Sequence, residues 1–368
     1  MQNLLFITSS LGQGGAERML FLLLRGLDRS HFKIKVISLR PGGAYVPQLR
    51  TLGIDVQEFN FGLSPRRFHQ LLNFSKAART YKADLVIGWM YHGNLFATVA
   101  GLLTRAEVIW NVRHSLDDLA GDRLATRLVI RICAALSNRC RRIIFNSARS
   151  MRAHIAIGYS EKHSITIANG IDTAHFIPKD KGSIRRTLGI PDSAKVIGMV
   201  ARVHSVKDHA TTLRAVAALN KGIPDVWLVL VGLDTDGEWI SNQLKDLGIQ
   251  DKTLCLGARL DTEQIYPALD LLCSSSKSEG FPNVIAEAMS CGVPCIATDV
   301  GESSEIVGEL GAIVKVGDAE AICNEMYRFF TLSDERRNEL KEQNRTRIIS
   351  KFSLNAMIDA YSEQFSID

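Results

Sequence analysis

Two glutamates stand eight positions apart in the segment SEGFPNVIAEAM (278–289). Pro282 between them suits the first position of a helix, because the N–H that proline lacks would be unpaired there. Such a helix would present free backbone donors and the positive end of its dipole to a phosphate, through the amides of Asn283, Val284 and Ile285. A carboxylate would repel that phosphate, so both glutamates are expected to bind hydroxyls, Glu287 those of a ribose and Glu279 those of a sugar beyond the phosphates. The alternative is an ordinary loop that enters an ordinary helix.

Two cations in VARVHSVKDHA (200–210) follow a strand-like segment. Arg202 offers a planar fork of donors and Lys207 a compact charge, and together they could neutralise a diphosphate leaving group without a metal. The alternative is a pair of solvated basic residues on a connecting loop.

A glycine-rich turn lies in SSLGQGGAERM (9–19), between a predicted strand and a predicted helix. Gly12, Gly14 and Gly15 would let the backbone approach a ligand closely, and the helix N-terminus favours a phosphate. The pattern is not G-x-G-x-x-G, so a tight turn that needs positive φ explains it equally well.

The composition, 46% hydrophobic and 23% charged over 368 residues, is typical of a globular protein with two domains. Seven cysteines include no C-x-x-C pair, which indicates buried thiols in a reducing compartment. The N-terminus lacks the basic and long apolar segments of a secretory signal. Residues 85–104 carry no charged side chain but include Gly88, His92 and Gly93, which favours a strand, a loop and a helix over a membrane span.

Short apolar runs alternate with amphipathic helices along the chain, as in βαβ units with parallel sheets. This predicts an α/β protein of two doubly wound, Rossmann-like domains that face each other across a ligand-binding cleft. The predicted domains are 1–170 and 171–352, followed by a helix, 353–368, that could pack across the domains.

Five motifs in order resemble those of the retaining glycosyltransferases of sequence family 4, which have the GT-B type of fold. The E-x7-E segment 279–287 is joined by GGAER (14–18), Arg202 with Lys207, NGID (169–172) and TDVGESSEIV (298–307). Glu302 departs from the family pattern, in which a second glycine is common. The resemblance runs from residue 5 to about 350.

The resemblance implies transfer of a sugar from a nucleoside diphosphate donor to a hydroxyl, with retained anomeric configuration, no cofactor and no obligatory metal. Arg202 and Lys207 would stabilise the diphosphate, while Glu287 would hold the ribose and Glu279 the sugar near its anomeric carbon. The remaining donor contacts would come from Gly14, Gly15, Gly257, Arg259, Gly280, Phe281, Pro282, Asn283, Val284 and Ile285. The acceptor hydroxyl would attack from the face that the phosphate leaves, because no carboxylate suggests itself as a nucleophile.

The family often places a histidine after the fifth strand of the first domain. His114 in WNVRHSLDD is our catalytic candidate, a one-residue shift would select Arg113, and His92 is a further candidate, with Glu17 also on the acceptor side. Asp234 and Asp236 form a D-x-D, which here is expected to be an Asp-rich turn and not a metal site.

Charge is uneven along the chain. Residues 1–170 hold 23 Lys and Arg against 10 Asp and Glu, a net charge of +13. Arg123, Arg127 and Arg131 recur at helical spacing beside apolar residues, which suits a helix lying on an anionic bilayer, whereas the alternative is a core helix with a basic solvent face. We therefore expect a glycan or lipid-linked acceptor, no nucleic acid partner, and a cytoplasmic location on the inner face of the membrane.

Two other functions compete with glycosyl transfer. A sugar-nucleotide epimerase can share the two-domain fold but has no need of the E-x7-E and R-x4-K pattern. A non-catalytic partner protein could keep the fold, yet the presence of Glu279, Arg202 and Lys207 argues against it.

Overall fold

The computed structural model describes residues 1–12, 14–61, 68–116 and 124–366, with the backbone alone at Phe68. It divides into two units, one formed by residues 1–170 with 354–368 and the other by residues 171–353. The last helix therefore belongs to the first unit, whereas the sequence left its partner open.

The first unit contains a parallel sheet of seven strands in the order β3-β2-β1-β4-β5-β6-β7. These strands are β1 (Gln2–Thr8), β2 (Phe32–Ser38), β3 (Asp55–Glu58), β4 (Leu85–Trp89), β5 (Glu107–Val112), β6 (Arg142–Phe145) and β7 (Ser164–Thr166). The helices between them are α1 (Gly15–Gly26), α2 (Tyr45–Thr51), α3 (Phe68–Tyr81), α4 (Met90–Thr104), α5 (Leu124–Leu136) and α6 (Ala148–Ala156). In β1, Leu4 to Ile7 are fully buried, as expected for a strand covered on both faces.

The second unit repeats the arrangement with six parallel strands in the order β10-β9-β8-β11-β12-β13. Its strands are β8 (Lys195–Val200), β9 (Val226–Val231), β10 (Thr253–Cys255), β11 (Leu271–Ser274), β12 (Cys295–Thr298) and β13 (Ala312–Val314). Its helices are α7 (Lys181–Leu188), α8 (His209–Leu219), α9 (Glu238–Leu247), α10 (Asn283–Ser290), α11 (Ser303–Val307), α12 (Ala319–Phe330) and α13 (Asp334–Phe352). Strand order reverses between β1 and β4 in one unit and between β8 and β11 in the other, and ligands bind at the carboxyl ends of such strands.

The chain returns to the first unit in α14 (Leu354–Phe365). Leu354, Met357, Tyr361 and Phe365 of this helix are buried in the same core as β1 and α1. Phe365 meets Phe6 of β1 edge to face, with ring centroids 5.7 Å apart. The first unit is therefore completed by the last helix of the described chain.

The stretch 85–104 differs from its prediction in one respect. Strand β4 passes directly into helix α4 without the expected loop, because Met90 takes the left-handed conformation, with φ of 65°. Among the described residues, no helix is long and apolar enough to cross a membrane.

Candidate active site

Lys207 and Glu279 meet at the carboxyl ends of β8 and β11, which are neighbours in the second sheet. The Lys207 Nζ lies 2.5 Å from Oε1 of Glu279, and the two side chains are 26% and 14% exposed. The hydroxyl of Ser276 donates to the same carboxylate oxygen at 2.7 Å. A cation and a carboxylate are thus held together where the strand order reverses.

The loop that carries Lys207 has a defined backbone. Residues 205–207 form a short 3-10 turn, and Asp208 after it is left-handed, with φ of 49°. The hydroxyl of Thr211 donates to the Asp208 carboxylate at 2.8 Å. Arg202, at the start of the loop, is exposed, and no carboxylate of the described residues forms an ion pair with it. Its guanidinium can therefore accept an anionic ligand.

The Glu279–Gly280 backbone rests on the loop after β12. Gly301 there has φ of 53°, and a Cβ on it would lie 2.3 Å from the Gly280 carbonyl oxygen. The amide of Glu302 donates to that same oxygen at 3.0 Å. Residue 301 must be glycine because of its positive φ and because of the close approach of the Gly280 carbonyl. Glu302, the departure from the family pattern, supports the loop through its backbone amide.

Helix α10 begins one residue later than the sequence predicted. Pro282 is its N-cap and not its first residue, because its ψ of 88° lies outside the helical range. The Pro282 carbonyl accepts from the amide of Ile285 at 3.1 Å, so this amide is not a free donor for phosphate. Phe281 is buried against Phe352, with ring centroids 5.8 Å apart, and anchors the loop.

Glu287 is almost fully buried on α10, with 4% exposure. Its Oε2 accepts from the hydroxyl of the fully buried Tyr266 at 2.9 Å. A buried carboxylate needs such a donor, and Tyr266 therefore orients Glu287. Nothing in the sequence indicated Tyr266, because a tyrosine within the apolar stretch IYPALD is typical of an ordinary core residue.

Gly257 lies against the D-x-D turn. Its φ is 61°, and a Cβ on it would lie 2.9 Å from Oδ2 of Asp236. Residues 233–236 form a turn, with Asp234 left-handed, which confirms the prediction of an Asp-rich turn. The part of the chain that the structure describes contains no group of three His, Cys, Asp or Glu side chains placed to hold a metal. Arg259 is engaged with Asp261 through two bonds of 2.8 and 2.6 Å.

The glycine turn of the first unit leads directly into helix α1. Gly14 is the N-cap of α1, and Gly15 is its first residue. Glu17 folds back over Gly14, where a Cβ would lie 2.2 Å from the carboxylate, and accepts from the Ser10 hydroxyl at 2.9 Å. Glu17 stands at the position from which a glutamate caps its own helix, and its charge is favourable at the helix N-terminus. The structure thus places a carboxylate over this glycine turn, where the sequence predicted a bound phosphate. The acceptor-side role of Glu17 stays a prediction.

Arg113 is committed to the packing of α14. Its guanidinium stacks 4.3 Å from the Trp89 ring and donates to the Tyr361 hydroxyl at 2.8 Å and to the Asn169 side chain. Tyr361 in turn donates to Oδ1 of Asn111 at 2.5 Å. The fork of Arg113 therefore holds together β4, α14 and the NGID segment, which argues against its role as an acceptor-side residue.

His114 stands above a buried polar network. Its carbonyl accepts from the Ser150 hydroxyl at 2.7 Å, and its Nδ1 lies 3.5 Å from the Tyr91 hydroxyl. Tyr91 is 2.8 Å from Nε2 of the buried His154, whose Nδ1 donates to the Ser150 carbonyl at 2.7 Å. Since a carbonyl only accepts, Nδ1 of His154 carries the proton and Nε2 accepts from Tyr91. Desolvation lowers the pKa of His154 to about 4, so the ring is neutral at pH 7.

His92, the other histidine candidate, follows β4 in the first turn of α4. It is half-buried, and burial together with the nearby Arg40 lowers its pKa. His92 and His114 thus both follow central strands of the first sheet, and His114 in addition contacts Tyr91 and Ser150.

Two family models match successive parts of the chain. Residues 180–347 match the model described as Glycosyl transferases group 1, and residues 13–175 match the model described as Glycosyltransferase Family 4. Together they cover most of the chain, with parts in both units.

Curated relatives are similar over part or most of their length. The chain is 28% identical over 198 residues to N-acetyl-alpha-D-glucosaminyl L-malate synthase of Bacillus anthracis, covering 53% of this chain and 51% of the relative. It is 29% identical over 242 residues to the lipopolysaccharide core biosynthesis mannosyltransferase LpsB of Rhizobium meliloti, covering 58% and 66%. It is 26% identical over 308 residues to the UDP-Gal:alpha-D-GlcNAc-diphosphoundecaprenol alpha-1,3-galactosyltransferase of Escherichia coli, covering 80% and 78%. The chain therefore spans about half the length of the first of these relatives.

Solved structures share the fold over nearly the whole chain. Anabaena HepE in complex with UDP superposes with a TM-score of 0.86 at 22% identity, covering 99% of both chains. WaaG, a glycosyltransferase involved in lipopolysaccharide biosynthesis, superposes with a TM-score of 0.72 at 13% identity, covering 100% of both. These likenesses confirm the predicted fold class of two parallel-sheet α/β units of the GT-B type. Because family models of glycosyltransferases match successive parts of the chain, residues 13–175 and 180–347, the chain belongs to the group 1 glycosyltransferases.

Proposed function

We propose that this chain is a retaining glycosyltransferase that moves a sugar from a nucleoside diphosphate donor to a hydroxyl of a glycan or lipid-linked acceptor. The observation that carries the proposal is the Lys207–Glu279 pair, held at the reversal of strand order in the second unit. A lysine suits a diphosphate and a carboxylate suits sugar hydroxyls, so the pair matches the two halves of such a donor.

Donor binding exchanges the partners of this pair. Lys207 is neutralised by Glu279 in the structure. A diphosphate offers the lysine a more highly charged partner, and Glu279 then accepts from hydroxyls of the sugar. Arg202, exposed on the same loop, adds the second cation. UDP and UDP-glucose are bound by Anabaena HepE, which supports a nucleotide-sugar as the donor.

Transfer proceeds by substitution on one face of the sugar. The bond from the anomeric carbon to the phosphate oxygen breaks while a bond forms from the same face to the acceptor oxygen. The acceptor proton passes to the departing phosphate oxygen, whose growing charge Arg202 and Lys207 stabilise. This scheme uses protein cations in place of a metal and needs no cofactor.

The acceptor side of the proposal rests on the first unit and on the relatives. LpsB is named for lipopolysaccharide core synthesis, and the Escherichia coli relative for a diphosphoundecaprenol-linked sugar. His114 contacts Tyr91 and Ser150, and we assign it the role of accepting from a hydroxyl of the sugar or of the acceptor.

A membrane-facing surface would bring such an acceptor within reach. Helix α5 exposes Leu124 at 79% and Leu128 at 59%, with Arg131 exposed beside them. Arg123, which the sequence analysis grouped with them, lies outside the described residues. Helix α4, which packs against α5, also exposes Leu102. We propose that this surface attaches the protein peripherally to an anionic cytoplasmic leaflet.

The test is a donor-turnover assay with a panel of nucleotide-sugars, with and without a chelator and acceptor. Wild type should release nucleoside diphosphate as acceptor is glycosylated, with chelator present, and nuclear magnetic resonance of the product should show the donor's anomeric configuration. Lys207→Ala and Glu279→Ala should lower the rate at least about 100-fold, a typical loss for one electrostatic group in a catalytic site. The rate of Asp234→Asn should stay within about twofold of the wild-type rate, because asparagine tolerates the left-handed backbone.

Each alternative gives a different result in this assay. Interconversion of nucleotide-sugars without an acceptor would identify an epimerase. No turnover with any donor would identify a non-catalytic protein, and loss of activity with chelator would overturn the metal-free scheme.

A further inference from the structure

A run of three buried serines, residues 274–276, begins at the last residue of strand β11 and lies beside the proposed catalytic pair. Ser275 is fully buried and Ser276 is 2% exposed. Their hydroxyls bond to different parts of the site, that of Ser275 to the loop of Lys207 and that of Ser276 to Glu279.

Ser275 supports the loop that carries Lys207. Its hydroxyl donates to the Asp208 carbonyl at 2.8 Å and lies 3.3 Å from the Lys207 carbonyl. Thr212 on α8 donates to the Ser275 oxygen at 2.8 Å, so that oxygen is fixed from the other side. Asp208 is left-handed, a conformation that costs energy for any residue with a Cβ. The Ser275 bond holds this turn at the residue that follows Lys207.

Ser276 supports the carboxylate. Its hydroxyl and the Lys207 ammonium both donate to Oε1 of Glu279. This leaves Oε2 as the oxygen that would accept from a sugar hydroxyl. The Thr298 hydroxyl donates to the Ser276 carbonyl at 2.5 Å and fixes the segment to β12.

We propose that Ser275 and Ser276 are positioning residues for sugar transfer, an inference that rests on the proposed function. Ser275 sets the Lys207 amine through the backbone of the loop, and Ser276 fixes which oxygen of Glu279 meets the sugar. Both hydroxyls are bonded to protein groups, that of Ser275 to the Asp208 carbonyl and that of Ser276 to the Glu279 carboxylate. We therefore expect their effects to appear through Lys207 and Glu279 respectively.

Kinetics of alanine variants separate the two effects. Ser275→Ala should lower kcat about tenfold with little change in the KM for donor, because Lys207 acts on the departing diphosphate. Ser276→Ala should raise the KM for a nucleotide-sugar several-fold and leave the affinity for free UDP unchanged. Ser275→Cys, which keeps the shape and weakens the donor, should lie between wild type and Ser275→Ala.

Ser290→Ala is the matched control. Ser290 is also fully buried in the second unit, and its hydroxyl also donates to a backbone carbonyl, that of Phe176, at 2.7 Å. It should lose similar stability and keep kcat and KM within about twofold. If Ser290→Ala loses as much activity as Ser275→Ala, the serines have only a general structural role and the proposal is wrong.

Double variants test the route of action. Ser275→Ala should have little further effect in a Lys207→Ala background, and Ser276→Ala little in a Glu279→Ala background, because each partner has already lost its function. Full additivity in both backgrounds would overturn the proposal.

Crystal structures of the variants give a readout that does not depend on activity. Ser275→Ala should separate the Lys207 Nζ from the Glu279 carboxylate, and Ser276→Ala should rotate that carboxylate. An unchanged pair in both variants would overturn the positioning role even in an active enzyme. Absence of donor turnover in wild type would instead reject the proposed function, so the two failures are distinguishable.

Discussion

At the scale of single residues, partners decide what a charged side chain can do. Arg113 and Arg202 are both arginines that follow central strands. Arg113 is stacked on Trp89 and bonded to Tyr361, whereas Arg202 is exposed and outside any ion pair of the described chain. Only Arg202 has a guanidinium available to a ligand.

His154 supplies a prediction for pH dependence. Its pKa is about 4 in the folded protein and about 6.5 in an exposed site, because burial disfavours the charged ring. The unfolded chain therefore binds the extra proton first as pH falls. The free energy of unfolding therefore does not depend on His154 above about pH 6.5. It falls by about 3 kcal/mol as the pH falls from 6.5 to 4.

Denaturant unfolding of wild type and His154→Gln at several pH values measures this effect. The wild type should lose more unfolding free energy than the variant between pH 7 and 4.5, because glutamine does not titrate. Parallel pH dependences in the two proteins would show that His154 is not the group responsible.

At the scale of elements, α5 shows how one helix can serve both a core and a surface. Ile130, Cys133 and Ala134 are buried, while Leu124 and Leu128 lie on the exposed side one turn apart. Its apolar residues thus occupy both faces, and the outer leucines contribute nothing to the described core.

Leu128→Glu on α5 should weaken attachment to anionic vesicles several-fold, because it places a carboxylate next to negative headgroups and removes buried apolar area. Vesicle flotation at low salt measures this. Leu260→Glu is the matched control, since Leu260 is 93% exposed but belongs to the second unit. Equal loss in both variants, or no binding of wild type, would contradict the membrane-facing surface.

At the scale of the whole molecule, the periodicity of apolar residues predicted helices and strands but could not predict which strands lie side by side. Helix α14 lies within the predicted range 353–368, because its apolar pattern is strong. Strand β13, with three residues, is too short to show one. The contact of Lys207 with Glu279 depends on β8 lying beside β11, which is a property of strand order and not of local sequence.

The same limit applies to the candidate site. The sequence indicated Glu279 and Glu287 through their E-x7-E spacing around Pro282, at the predicted start of a helix. Tyr266 and Ser276 carried no such signal, because buried tyrosines and serines occur in any core, and only their hydrogen bonds to the two glutamates distinguish them.

Removal of residues 354–368 tests the division into units. The deletion takes four buried side chains out of the first core, worth roughly 1.5–3 kcal/mol each, which together rival the whole stability of a typical domain. Hydrogen exchange should therefore show loss of protection in β1 and β2, with protection retained in β8 and β9. Unchanged protection in β1 would show that α14 is dispensable to the first unit.

Because α14 belongs to the first unit, the segment 171–353 is in effect an insertion within it. On the ribosome, the first sheet emerges long before the helix that covers it. At 5–20 residues per second, the nascent chain waits roughly 10–40 s for that cover. During this interval the face of β1 that will receive Phe365 is open to chaperones, and the second unit can fold before the first is finished.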